Sequence, residues 1–287
     1  MASMRDIKRR KGSIQSTQQI TKAMKLVATV KLQRAKARAE QSKYYFKCIY
    51  DTINSILAKS GTISHPYLKA GETGKKAIIV ITSNRGLAGG YNSNITKLVT
   101  RGDFKKDDVA IYALGRKGRD TFVRYGYDVQ VEDYNIVEAP TYSDAMQLSK
   151  LLLDEFAEGK ISEIYIAYTA FKNTVSHEPT LLKLLPVEMD TASQETSEDE
   201  DNTPMNFEPD EGAALDMLIP KYVTSLIYGG LVEAVASENG ARMQAMDSAT
   251  SNAEEMISSL TLQYNRARQG SITQELTEII AGANAIS

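Results

Sequence analysis

The residues best suited to chemistry lie in "SNRGLAGGYN", positions 83–92, a glycine-rich turn between a strand pattern and a helix pattern. Backbone amides at such a turn, with the positive end of a helix behind them, can hold a phosphate. The spacing obeys neither phosphate grammar: a P-loop needs Lys and Ser or Thr after its last glycine, and a dinucleotide turn needs G-x-G-x-x-G. A tight turn that lets strand and helix pack closely is therefore the expectation. His65 and His177 stand singly in proline-containing loop sequence, and no sequence cue places a base beside Cys48, so no nucleophile–base pair is suggested. Cys48, alone and unable to form an internal disulfide, is expected to be a small buried hydrophobe in a reducing compartment. The acidic run at 195–201 lacks the spaced ligands and turn glycine of a calcium loop. No catalytic, cofactor or metal site is expected.

Charge is more informative. The chain of 287 residues carries a net charge of −2 with 42% hydrophobic content, which gives no overall pull toward nucleic acid or an anionic membrane. The average hides a basic first stretch. Up to Lys47, thirteen Lys and Arg face only Asp6 and Glu40, a balance of +11. Three readings fit: a solvated helix face, a nucleic-acid stripe, or a rod lying against an acidic protein surface. The second is weakened because no aromatic residue for base stacking precedes Tyr44 and Tyr45.

The elements behind these residues follow from periodicity. From Met4 to about Ala58 no proline intervenes, and Ile7, Ile14, Thr21, Ala28 and Ala35 recur every seventh position, with Ile20, Met24 and Val27 between them. That predicts one long helix with a narrow seam, roughly 80 Å at 1.5 Å per residue, which needs a partner along its length. The connector "SGTISHPYLKAGETGKK" ends it. Four strand patterns follow, "AIIVITS", "DVAIYALG", "YDVQVED" and "SEIYIAYTA", with helical patterns between, including 141–160 capped by Thr141 or Ser143. Such alternation predicts a parallel α/β sheet. "LLKLLPV" should add an antiparallel strand after a "FKNTVSHEPT" turn. Residues 191–211 are acidic, without Lys or Arg, and predict a solvated loop. From 212 to the end helical periodicity returns, with Pro220 and Gly229, Gly230 and Gly240 expected to bend it, or to split it at Gly240.

The expected organisation is thus a terminal helix over 1–60, an inserted Rossmann-like α/β domain over 76–190, the acidic loop, and a second terminal helix over 212–287. Folded back as a long antiparallel coiled coil, with residue 58 near 211, the two helices bring Met4 near residue 265. The last stretch, "RARQGSITQELTEIIAGANA", then projects without an intramolecular partner, which accounts for its thin apolar face. No run approaches the roughly 20 apolar residues of a membrane span, and the first residues lack a signal peptide's apolar core, so a soluble or peripheral protein is expected.

Two of these stretches, "STQQITKAMKLVATVKL" (16–32) and "RARQGSITQELTEIIAGA" (266–283), together with the turn at 83–92, resemble the gamma subunit of the rotary (F-type) ATP synthase, and the resemblance extends along nearly the whole chain. It implies a non-catalytic shaft that turns inside a hexamer of α and β subunits, couples a proton-driven membrane ring (the c-ring) to conformational cycling of the catalytic β subunits, and meets the epsilon subunit at its foot. Nucleotide chemistry would belong to β, with no cofactor here, no nucleic acid and no membrane insertion. The implied location is peripheral, at the cytoplasmic face of a bacterial cell membrane. By motif position, Arg268 and Gln269 match the hydrogen-bonding contact with a β-subunit catch loop, Arg as a forked donor. Thr273 and Glu275 match neighbouring coupling positions, Met24 a position facing the β lever, and Arg242 a polar coupling position on the opposite helix. Lys8, Arg9 and Arg10 would form a basic shaft surface. The regulatory dithiol insert of the chloroplast form is absent.

Overall fold

The computed structural model describes residues 3–59, 65–71, 74–174, 176–187 and 211–286. The chain forms two compact units, Met1–Thr29 with Arg242–Ser287, and Val30–Ala241. Two helices contribute to both: α1, Met4–Lys59, and α5, Glu211–Ile286. The acidic loop expected over 191–211 lies outside the described residues except for Glu211, which opens α5.

The larger unit is built on a five-stranded sheet of order β3-β2-β1-β4-β5. β1 (Lys75–Ile81), β2 (Val109–Leu114), β3 (Asp128–Asp133) and β4 (Ile161–Phe171) run parallel, and β5 (His177–Leu185) pairs antiparallel with β4. The helices α2 (Tyr91–Thr100), α3 (Arg116–Arg124) and α4 (Tyr142–Ala157) connect the parallel strands. β1 and β2 are buried on both faces, which is why each reads as a near-continuous apolar run. One face packs Ile78, Val80 and Ile111 against Ile95 and Val99 of α2 and Phe122 of α3. The other packs Ile79, Tyr112 and Ile166 against Leu152 of α4, Ile53 of α1 and Val223 and Ile227 of α5. α4 starts in a capping box, in which Thr141 Oγ1 accepts from Asp144 N at 3.2 Å and Thr141 N donates to Asp144 Oδ2 at 3.0 Å. Between β2 and α3 the backbone turns at Gly115, φ 108°, where a Cβ would lie 2.1 Å from the Thr82 carbonyl oxygen; no other residue fits there.

Three expectations need correction in this unit. Residues His177–Thr180, expected in a turn, belong to β5. Pro179 is tolerated there because β5 is an edge strand, with no ladder to satisfy on its outer side. Cys48 is exposed, not buried: its neighbour Ile49 turns inward with Ile53 and Ile56, and adjacent helix positions point about 100° apart. α5 runs through Gly229, Gly230 and Gly240 as one helix without a split. At Pro220, the Thr224 hydroxyl donates to the Pro220 carbonyl at 2.7 Å, one turn back along the helix.

In the smaller unit the ends of α1 and α5 run antiparallel. Gln18 Nε2 donates to Glu254 at 3.0 Å, the Thr21 and Thr250 hydroxyls meet at 2.8 Å, and Lys25 Nζ reaches Asp247 at 2.5 Å. The residue numbers of each pair total 271 or 272, which sets Met4 opposite 267–268, two to three residues beyond the expected 265. Within the larger unit, Tyr50 stacks on Tyr222 with ring centroids 6.1 Å apart, again a total of 272. The heptad positions Ile7, Thr21, Ala28 and Ala35 are buried and Ile14 is half-buried. Ile20 and Val27, expected to belong to this narrow seam, are instead 60% and 58% exposed. With 21 and 28 at the seam centre, 20 and 27 lie a third of a turn outside it.

Candidate functional site

Side chains of the glycine-rich turn bond to one another and to nearby backbone. Asn92 Oδ1 accepts from Ser83 N at 2.9 Å, and the Ser83 hydroxyl donates to the Arg85 carbonyl at 2.5 Å. Asn84 extends the same web, accepting from Arg116 N at 3.1 Å and donating to the Tyr134 carbonyl at 2.5 Å. Left-handed backbone at Leu87 and Gly89, φ 63° and 56°, closes the loop tightly. Close packing of strand and helix does not require its glycines, contrary to expectation: a Cβ at Gly86 or Gly89 would meet nothing within 4 Å, and at Gly90 its nearest neighbours belong to the Asn94 side chain. His65 is buried: its Nδ1 accepts from Tyr67 N at 3.3 Å and its Nε2 lies 3.1 Å from Asp216. His177 packs against Phe171, and burial holds its pKa below the ordinary value. Among the described residues, no group of three or more His, Cys, Asp and Glu is placed to hold a metal ion. No described helix is long and apolar enough to cross a membrane.

The surface of the smaller unit is different in kind. Among the described residues, nine large apolar side chains there are 49% exposed or more: Ile20, Leu26 and Val27 on α1, Met256, Leu262 and Ile272 on α5, and Leu276, Ile279 and Ile280 near its end. Among its described residues, Ile7 and Met246 are the only large apolar side chains that are buried. A helix pair gains most of its stability from packing an apolar face, and here nine large apolar side chains point outward while only two among the described residues are fully buried. Exposed apolar surface on this scale marks an interaction site.

The residues singled out from sequence sit on this unit. Met24 and Arg242 are half-buried. Lys8, Arg9 and Arg10 are exposed on the first turns of α1, with Arg9 3.2 Å from Asp6. Arg268, Gln269, Thr273 and Glu275 are exposed along α5. From Ile272 to Asn284 every side chain is exposed, in agreement with a segment that outruns its partner helix. Its polar side chains bond locally along the helix. The Thr273 hydroxyl donates to the Gln269 carbonyl at 2.9 Å, the Thr277 hydroxyl to Thr273 at 2.8 Å, and Gln274 to Glu278 at 2.9 Å. Arg268 and Gln269, adjacent on the helix, share the level at which α1 begins. Sequence reasoning placed Ile20 and Val27 in the seam and so missed the outward stripe that they form with Leu26, although its signal was present: apolar residues one or two positions off the heptad.

Comparison with known proteins gives one pattern. The family model described as ATP synthase matches residues 3–286. The chain is 65% identical over 291 residues to the ATP synthase gamma chain of Lachnoclostridium phytofermentans, covering all of both chains. It is 41% identical to the "ATP synthase gamma chain, sodium ion specific" of Acetobacterium woodii, covering 99% of each. In fold it is similar to a chain from the mitochondrial ATP synthase of Euglena gracilis, at a TM-score of 0.69 over 99% of this chain and 94% of that one, with 17% identity.

Proposed function

The chain belongs to the ATP synthase gamma-chain family, and from that premise we propose that it is the central shaft of a rotary ATP synthase, transmitting torque between an ion-driven membrane ring and the catalytic β subunits. The observation that carries this reading is the smaller unit's outward apolar surface, together with a terminal helical segment whose side chains are exposed from Ile272 to Asn284. Such a rod suits a bearing formed by other subunits. In this reading the rod is asymmetric, as a shaft must be. An orientation favours one conformation of a β subunit only if it binds the alternatives with different free energies.

In this reading the chain performs no catalysis and binds no cofactor. Arg268 and Gln269 offer hydrogen bonds to a β-subunit loop, the guanidinium as a forked donor to carboxylate. Thr273 and Glu275 lie within the next two turns toward the end of the helix. Met24 meets the β lever, Arg242 acts as a polar coupling position on the facing helix, and Lys8, Arg9 and Arg10 draw the rod toward acidic surface on α and β. The larger unit serves as the foot, in contact with epsilon and the c-ring, at the cytoplasmic face of the membrane. Transmission is the same whether the ring carries protons or sodium.

The test is ATP hydrolysis by purified, matched α and β subunits with and without this chain. The expected result is a stable complex with a turnover at least tenfold higher when the chain is present. Failure both to bind and to stimulate would overturn the proposal.

A further inference from the structure

A cavity of about 470 Å³ lies in the larger unit, walled by α1, α4, α5 and the strands β4 and β5. Its volume falls within the roughly 300–1,000 Å³ of sites that take small organic ligands. Two adjacent glycines of α5 create it. At Gly230 a Cβ would come 2.8 Å from Ile166 Cδ1, so the helix presses on the sheet there, whereas at Gly229 a Cβ would meet nothing within 4 Å. Gly229 lines the cavity, and its missing side chain is part of the empty volume.

The lining combines four tyrosines with an exposed basic side chain, Arg38, and a half-buried acidic one, Glu233. Tyr45, Tyr142, Tyr168 and Tyr228 supply rings, and Tyr142 and Tyr228 stand edge to face at 5.8 Å. Such rings favour a planar aromatic guest, through offset-stacked and edge contacts. Burial, with Glu233 nearby, pushes the Tyr168 phenol up to about 12, so it stays a neutral donor at physiological pH. Arg38 and Glu233 also line the cavity; their numbers total 271, the register of the helix pair, so they share one level of it. Arg38 donates only and Glu233 accepts only. From that level to Leu226 is seven residues of α5, about 10 Å of helix, the length of two fused rings.

We propose that this cavity is a binding site for a two-ring aromatic compound whose polar end both accepts a hydrogen bond from Arg38 and donates one to Glu233. The site is separate from the surface of the smaller unit and does not depend on the shaft reading. A guest there touches α1, α4, α5 and the sheet edge together, so binding stiffens the larger unit and raises its melting temperature.

The probe is 2-naphthol, titrated into the full chain by its fluorescence, with 2-methoxynaphthalene, which lacks the donor hydrogen, as its comparison. Saturable one-site binding with a dissociation constant on the order of 10–100 μM is expected, and binding of the methyl ether at least fivefold weaker. Gly229→Leu fills the space and should weaken 2-naphthol at least tenfold with unchanged circular dichroism. Glu233→Gln should weaken 2-naphthol and leave the methyl ether as it was, a readout independent of how Gly229→Leu folds. Unsaturable uptake, equal affinity of the two probes for the unaltered chain, or full affinity in both variants would overturn the proposal.

Discussion

Glu163 shows how much a single side chain organises on the sheet surface. Lys76 reaches it at 2.6 Å and Lys183 at 3.2 Å, and the Tyr165 hydroxyl donates at 3.0 Å. Burial would raise its pKa, but the hydrogen bonds from Lys76, Lys183 and Tyr165 outweigh it and hold the carboxyl below its ordinary value of 4.5. A depressed carboxyl pKa contributes stability that is complete above the unfolded value and is lost as pH falls through the folded one. Glu163→Gln should therefore cost about 1–2 kcal/mol at pH 7, the difference between charge-assisted and neutral bonds. In urea titrations, the gap between variant and parent should narrow as the pH is taken below about 4.5. A gap independent of pH would show that packing, and not charge, holds the network. At the other end of the chain, Arg268 and Gln269 are exposed, so Arg268→Ala with Gln269→Leu should leave the melting temperature of the isolated chain unchanged. In the assembled enzyme the pair should cut ATP synthesis several-fold. A lowered melting temperature would make them internal packing residues.

The strands were plain in the sequence because parallel strands buried on both faces must be runs of Ile, Val and Ala, as in Ala77–Ile81. The capped start of α4 was equally plain, with Thr141 three residues before Asp144. The opening of β5 was not, because "HEPT" has turn composition and only the sheet order reveals that Pro179 lies on an edge. Register was nearly legible. Loop boundaries place the fold-back within three residues, but the pairing is fixed by Thr21 on Thr250 and Tyr50 on Tyr222, long-range contacts that no local pattern encodes. The end of α5 yields a prediction at this scale. Since no side chain from Ile272 to Asn284 is covered, deleting 272–287 should shift the melting temperature of the isolated chain by no more than about 2 °C, the size of a surface change. A drop of 5 °C or more would mean that this segment folds back on the chain.

Across the whole molecule, charge is divided unevenly: a chain of net charge −2 carries +11 in its first 47 residues. If that rod seats against acidic partners, long-range attraction speeds its capture without strengthening the final complex to the same degree. The association rate with α and β subunits should fall at least tenfold between 20 and 500 mM salt, with a much smaller change in dissociation rate. A salt-independent rate would leave the basic residues as a solvated face. The docking surface was legible only by default, as helix with too little core, because the groups that complete it belong to other chains and leave no trace in this one beyond exposed Ile, Leu and Arg. The pairing of the two termini has one more consequence. Thr21 and Thr250 are 229 residues apart, and a ribosome adds roughly 5–20 residues per second. The first helix therefore waits about 10–45 s after its own synthesis before its mate exists. For that interval the leading segment lacks its mate, and thirteen positive charges in the first 47 residues oppose its association with the leading segment of another nascent chain.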